Sequence, residues 1–410
     1  MYKKFYKLSS QERRTILQDN GRYDFDLDVP LPESTSENMI ENNITLYELP
    51  MGVVTGFLMN DKEYVIPMVT EEPSVIAAAN NAARIFASNG GLKAKVISRL
   101  MRGEIAFSSP LYDYGEYIDN HYDELIDLCN RSYPSIVNRG GGVQSIKHRL
   151  IHNENKPSFF IIDVTIDTQE AMGANMINTI LEALQAHLQE IYNHEPLMAI
   201  LSNLADECLV EATIEINPET LRFPESIAQR LEEAYQLASV DPYRAATHNK
   251  GIMNGIDAVV IASGNDWRAV EAGAHAYASR SGSYQPLTTW SIADNGNILG
   301  SITIPMAIGT VGGTVKLHPK AALAKKIMDY SDAKELMSLI AGIGLAQNFA
   351  ALYALTTDGI QKGHMRMHAR SLAMNAGANE NEIQEVVRRL IKDKPMTLQK
   401  AELILKEIRR

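Results

Sequence analysis

The spacing of hydrophobic and polar positions changes several times along the chain, and each change marks an element. Ser9-Ser-Gln-Glu-Arg-Arg sets a capping serine before an amphipathic run, which predicts a helix over 9–20. Apolar and β-branched runs at Ile44–Leu49, Gly52–Met59 and Glu63–Met68 read as three strands, with Asn60-Asp61 as the last turn. Glu72-Pro73 then opens a helix rich in small residues, closed by Gly90-Gly91. Strand patterns recur at 103–108, 158–166 and 209–215, and helical period at 115–130 and 173–192. That β-α-β-β-α-β order predicts a small split βαβ unit set inside a larger one. From residue 222 helices dominate, at 224–238, 266–279, 319–329 and 331–355, with strands at 257–262 and 287–304. Two charged amphipathic helices, divided at Lys394-Pro395, form a tail predicted to be a separate cap hinged near Gly359–Gly363.

The expected fold class is therefore α+β. A large mixed helical and sheet domain spans 1–101 and 213–360, an inserted ferredoxin-like domain 102–212, and a C-terminal helical flap 361–410. A length of 410 residues suits two or three domains. The formal charge of −11 argues against general nucleic-acid or membrane-surface binding. No run approaches the roughly 20 apolar residues that span a bilayer, and Met1–Ser10 has no apolar signal core. A cytoplasmic protein is expected. Cys129 and Cys208 form no disulfide framework, and the histidines show no metal-ligand spacing, so no metal is expected.

Four segments place ionisable groups in apolar or glycine-rich sequence. Glu72 follows the apolar run Tyr64–Val69; a carboxylate at a helix start is ordinarily a dipole partner, but a desolvated Glu has a raised pKa and can donate a proton. Lys250, flanked by glycine and asparagine in Thr247–Gly255, is expected in a cleft, where an ammonium stabilises a developing oxyanion. Arg244 suits a substrate carboxylate or a surface ion pair. Asp266 reads as a helix cap after the run 257–262, a position compatible with a site. His364 shares a segment with His368 and sits where a mobile imidazole could protonate a leaving thiolate. An acid, an ammonium, a second carboxylate and an imidazole are the set that reduction of an acyl thioester needs. Gly173, within Glu170-Ala-Met-Gly-Ala-Asn175, opens a helix whose N-terminus suits pyrophosphate. Arg139-Gly-Gly-Gly142 leads to Ser145, Lys147, His148 and Arg149, a stretch with several cations and no acid for a ribose hydroxyl, which tilts toward a 2′-phosphate and NADP(H). Gly309-Thr-Val-Gly-Gly313 is a third glycine turn.

With these segments in view, the chain resembles the class II (bacterial-type, soluble) 3-hydroxy-3-methylglutaryl-CoA reductases from about residue 5 to its end. Pro67–Ala79, Ala171–Asn175, Ala245–Gly255, Gly264–Gly273, Gly309–Gly313 and Gly344–Ala350 carry the likeness. The resemblance implies four-electron reduction of 3-hydroxy-3-methylglutaryl-CoA (HMG-CoA) to mevalonate and CoA, in the mevalonate route to isoprenoids, with Glu72, Lys250, Asp266 and His364 catalytic. It implies Ser74, Arg244, Asn254 and Asn203 on the substrate. Glu170, Met172, Gly173, Ala174 and Asn175 would bind the nicotinamide cofactor, NADPH with NADH possible. It also implies a small cofactor domain, a large CoA-thioester domain, a flap bearing the histidine, and a homodimer with the site between subunits. Glu170 replaces the family's usual aspartate, Thr45 a usual glycine, and Ser145 the aspartate of NADH-preferring members. The alternatives are mevalonate oxidation in the reverse direction and a non-catalytic CoA-thioester binder.

Overall fold

The computed structural model describes residues 2, 4–108, 114–152, 158–357, 359–393 and 396–409, without the side chains of 360–367 and 380. It is a mixed α/β molecule with ten strands among the described residues, labelled β1 to β10 in chain order. β1 (Met51–Met59) and β2 (Lys62–Val69) form an antiparallel hairpin. β3 (Lys93–Val96), β8 (Leu209–Ile216), β10 (Ile298–Pro305) and β9 (Thr288–Ile292) form one four-stranded sheet in that spatial order. β4 (Leu100–Ser108), β5 (Gly142–Ile151), β6 (Phe159–Asp167) and β7 (Met198–Leu201) form the other, in the order β5-β6-β4-β7 with every pair antiparallel. β3 and β8 pair with each other and bracket this second sheet in sequence.

The centre of the molecule is the helix Ala333–Thr356, buried along nearly its whole length. It is long and apolar enough to cross a bilayer by length and composition, which corrects the expectation that no such run exists; yet 89% of its apolar window is covered by the protein, as in a core helix. It starts from Asp332, whose side chain caps Glu335 N at 2.8 Å. Packed on it are the helices Pro73–Ser88 and Pro242–Ala262 and the β3-β8-β10-β9 sheet. The helix Ala174–Tyr192 covers one face of the second sheet, with Ile177 and Leu181 against Gly103. At the C-terminus Ala369, Ala373, Val386, Leu390, Ala401 and Ile404 form a separate small core among the helices Ile360–Asn375, Glu380–Lys392 and Leu398–Ile408.

Four expectations change. Residues 257–262 are not a strand but the last turns of the helix Pro242–Ala262; the short apolar run 258–262 has no period that separates the two. Ile44–Leu49 forms no strand and no helix, and Ile44 and Tyr47 lie open to solvent. Residues 115–130 break at His121 into two helices, Tyr114–Asn120 and Tyr122–Ser132. Gly363 lies within the helix Ile360–Asn375 rather than in a loop, and Gly359, at φ 78°, stands at the N-cap of that helix.

Candidate active site

β2 ends at Val69 and the chain turns through Thr70 into the helix Pro73–Ser88, so Glu72 falls at the helix N-cap. Thr70 Oγ1 accepts from Glu72 N at 3.2 Å and holds this turn. Ser74 Oγ donates to Glu72 Oε1 at 2.8 Å. From the far side Lys250 Nζ donates to Glu72 Oε2 at 3.1 Å. Three residues from two segments 178 positions apart thus meet around one carboxylate. The expectation of burial fails in part. Glu71 is exposed, the Glu72 side chain is 35% exposed and that of Lys250 64% exposed, because Lys250 lies on the outer side of its helix rather than in a loop beside a strand.

That helix, capped by Asp241, carries the other substrate candidates. Asn254 stands one turn beyond Lys250 on the same face. Arg244 is half-buried; burial draws its guanidinium below the ordinary value, and no acceptor reaches it among the described residues. His248, on the inner side, is pushed down to about 3 by burial, with Arg244 adding to the effect; its Nε2 meets Thr288 Oγ1 at 2.6 Å in a neutral core network.

Asp266 caps the helix Trp267–Ala278, accepting from Arg268 N at 3.0 Å and Ala269 N at 3.3 Å, with the Arg268 guanidinium at 3.2 Å. Its neighbour Asn265 accepts from Gly309 N at 2.8 Å and so ties this turn to the third glycine turn. Asn203 is exposed, its carbonyl against Gly273 of the Asp266-capped helix. The His364 side chain lies outside the described residues; His368 is exposed.

Gly173 has φ 95° and is the N-cap of the helix Ala174–Tyr192, a backbone state that a side chain would strain. The chain preceding it is tightly held. Thr168 Oγ1 donates to Ala171 O at 2.7 Å, and the Glu170 carboxylate accepts from Ala333 N at 2.9 Å and from the Thr310 hydroxyl. Glu170 therefore faces the central helix and the third glycine turn, while Asn175 is exposed at the new helix end. The four residues after the glycine triplet do not form one cluster. They lie on β5, where Ser145, Lys147 and Arg149 share the face without helices and His148 points to the other, stacked on Phe160. Ser145 Oγ meets Thr165 Oγ1 at 2.6 Å, and Arg149 is already paired with Asp163 and Glu104.

Sequence reasoning missed two groups here. Arg99, 7% exposed, holds the backbone of the 169–171 loop, and nothing in its own segment signals this. Asp257, Glu271 and His275 form a second cluster of ionisable groups: burial and the neighbouring Glu271 push the Asp257 carboxyl up, while His275 Nε2 stands 2.5 Å from Glu271. Its only early signal was helical spacing, obscured by reading 257–262 as a strand.

These features can be set beside known proteins. Residues 9–369 match the family model for hydroxymethylglutaryl-coenzyme A reductase. The 3-hydroxy-3-methylglutaryl-coenzyme A reductase of Archaeoglobus fulgidus is 42% identical over 99% of this chain and 94% of its own. A probable reductase of the same name from Borreliella burgdorferi is 35% identical over 82% of this chain and 77% of its own. Among solved structures, the Streptococcus pneumoniae reductase superposes with a TM-score of 0.84 at 43% identity, covering all of both chains. A class II structure from that organism, bound to NADPH in open conformations, gives 0.82 at 43% identity over 98% of this chain and 100% of its own. With a match that takes in the Glu72–Lys250 contact, the Gly173 helix start and the Asp266 cap together, the chain belongs to the hydroxymethylglutaryl-coenzyme A reductase family, in its class II branch.

Proposed function

We propose that the protein reduces HMG-CoA to mevalonate and free CoA, consuming two NADPH and two protons, and that the Glu72–Ser74–Lys250 cluster is the chemical centre. The observation that carries this reading is the Lys250 ammonium 3.1 Å from Glu72, with Ser74 on the other carboxylate oxygen. Lys250 would hold the oxyanion that forms when the thioester carbonyl is reduced, an electrostatic role that costs no reorganisation. Collapse of the resulting hemithioacetal breaks the carbon–sulfur bond, and His364 would protonate the departing thiolate. Glu72 would give its proton to the oxygen of mevaldehyde in the second reduction. Asp266 would tune both. Such a set titrates as a unit. Arg244, a half-buried cation with no acceptor among the described residues, fits the free carboxylate of the substrate, and Asn254 and Asn203 would bond its polar groups.

Residues Glu170 to Asn175 fit a dinucleotide: Gly173 sits at positive φ and the helix N-terminus beyond it points its free amides outward. When bound, each of two successive nicotinamide cofactors would supply one hydride. Met172, Gly173, Ala174 and Asn175 would hold it, and Glu170 would brace the loop from behind. For the 2′-phosphate, Lys147 and Ser145 are the suited residues of β5. Arg149 is engaged by two carboxylates and lies four residues, roughly 13 Å, farther along the strand than Ser145. NADPH is thus favoured over NADH, and steady-state rates with each nucleotide decide it.

The sheet order β5-β6-β4-β7 supports reading 102–212 as a ferredoxin-like cofactor domain, inserted between 1–101 and 213–360 of a CoA-thioester domain. The separate C-terminal core supports 361–410 as a flap. A homodimer is part of the same reading. Lys250 is 64% exposed in the single chain, and Ile44, Tyr47 and Tyr243 are open apolar side chains, surface that a second copy would cover. A cytoplasmic location accompanies it.

Lys250→Ala is the test. The reading expects thioester reduction to fall far more than about tenfold, roughly 1.4 kcal/mol, with NADPH binding retained. Activity within that factor of the parent removes Lys250 from the chemistry.

A further inference from the structure

We infer that Arg99 is a positioning residue for this reaction, one that fixes the cofactor loop 169–173 against the turn orienting Asp266. The inference rests on the reading of residues 170–175 as the cofactor loop.

Arg99 stands at the entry to β4, where the chain crosses into the second sheet. It is 7% exposed, and no carboxylate pairs with it among the described residues. Burying a guanidinium without an anion is costly unless its donors are satisfied. Carbonyls from two separate loops satisfy it here. Its Nη2 donates to Ala171 O at 3.0 Å and to Ile308 O at 2.8 Å, its Nε donates to Gln169 O, and its Nη1 lies 3.2 Å from Met337 Sδ on the central helix. One planar, fixed-fork group therefore sets the separation of the two loops and references both to the core.

The loops also touch each other directly. Thr310 N donates to Glu170 O at 2.8 Å, the Thr310 hydroxyl donates to the Glu170 carboxylate, and Ala171 forms a bridge with Val311. At Gly309 the contact is backbone to backbone: a Cβ there would stand 2.6 Å from Met172 N. Gly309 N in turn donates to Asn265, the residue before Asp266. A continuous set of contacts thus runs from Met172 and Gly173 through 308–311 to the catalytic carboxylate, with Arg99 as the charged member that gathers three of its carbonyls. A side chain serving only to join two parts of the molecule would change stability. One that sets the spacing of cofactor and acid must also change nucleotide affinity apart from thioester affinity.

The test uses the full chain with Arg99→Met, Arg99→Lys and Thr310→Val, read by NADPH fluorescence titration, by KM for NADPH and for HMG-CoA, and by thermal unfolding. Gly173→Val serves as a separate probe of the loop itself. Arg99→Met is expected to weaken NADPH binding roughly tenfold or more while KM for HMG-CoA stays within about twofold, since small displacements far from the chemistry carry effects of this size. Arg99→Lys should recover part of the affinity, and Thr310→Val should shift it in the same direction by a smaller factor. If Arg99→Met does not fold, Thr310→Val decides by the same criterion. Unchanged NADPH affinity in the folded Arg99 variants, or in Thr310→Val when it is the deciding variant, with only the unfolding temperature lowered, overturns the inference. If Gly173→Val also binds NADPH normally, it is the cofactor-loop reading that has failed; if Gly173→Val alone loses binding, that reading stands and the role of Arg99 falls.

Discussion

Ser74 is a small side chain in a specific place, where its hydroxyl holds one oxygen of Glu72 while Lys250 holds the other. A single neutral-to-charged hydrogen bond at a half-buried position contributes on the order of 1 kcal/mol. Ser74→Ala is therefore expected to lower kcat/KM for HMG-CoA about fivefold and to leave NADPH affinity alone, by steady-state kinetics with each substrate varied; an unchanged kcat/KM would show that Glu72 needs no such support. At this scale the sequence was informative about residue type and poor about environment. Glu72 and Lys250 were singled out for their unusual flanks, and they do meet. The burial those flanks implied is absent for Lys250, since a glycine neighbour says nothing about which side of a helix faces out. Arg99 gave no warning, because its partners are backbone carbonyls from residues 169, 171 and 308, which carry no side-chain signature.

The elements that present these residues depend on how the central helix begins. Glu335, in its first turn, accepts from Ser331 N at 2.6 Å, from Ser331 Oγ at 2.7 Å and from Lys62 Nζ at 2.9 Å, and from the Tyr64 hydroxyl. Burial pushes its carboxyl up, but the bonds from Tyr64, Ser331 and Lys62 outweigh that and bring it down to about 2 from an ordinary 4.5. A folded-state pKa below the unfolded one gives stability that is fully present above about pH 4.5 and drains away as the pH falls toward 2. Urea unfolding of Glu335→Gln should accordingly show a lower stability at neutral pH and a shallower loss between pH 4.5 and 2.5 than the parent; parallel curves would mean the carboxylate is not held in its charged form. Helix starts were the most legible elements, because caps are local: Ser9, Glu72 and Asp266 all stand where their spacing placed them. The run 257–262 was illegible for the opposite reason: after Asp257 it is wholly apolar, with no polar position to mark a period. β5 was not picked out as a strand, because much of it is polar and exposed and shows little apolar alternation.

For the whole molecule, order along the chain carried more than any single pattern. Where the alternation of strand and helix led to the expectation of an inserted unit at 102–212, the chain forms the antiparallel sheet β5-β6-β4-β7, and the helices of the tail share a small core of their own. How the tail meets the rest of the chain, through the central helix and the helix Pro73–Ser88, is set by long-range packing that no local window contains. Removal of residues 360–410 should abolish turnover and leave NADPH titration close to that of the full chain, since Arg99, Thr310 and the central helix hold the Gly173 loop. Full activity in the truncated chain would dismiss a closing role for it. The most direct measurement of the whole account is the stoichiometry of a single reaction. HMG-CoA is mixed with excess NADPH, and nicotinamide absorbance is followed alongside release of free CoA thiol. Two NADPH consumed for each thiol released, with mevalonate as the product, is the result the Glu72–Lys250 centre predicts. Thiol release without NADPH consumption, or no reaction with this thioester, would contradict it.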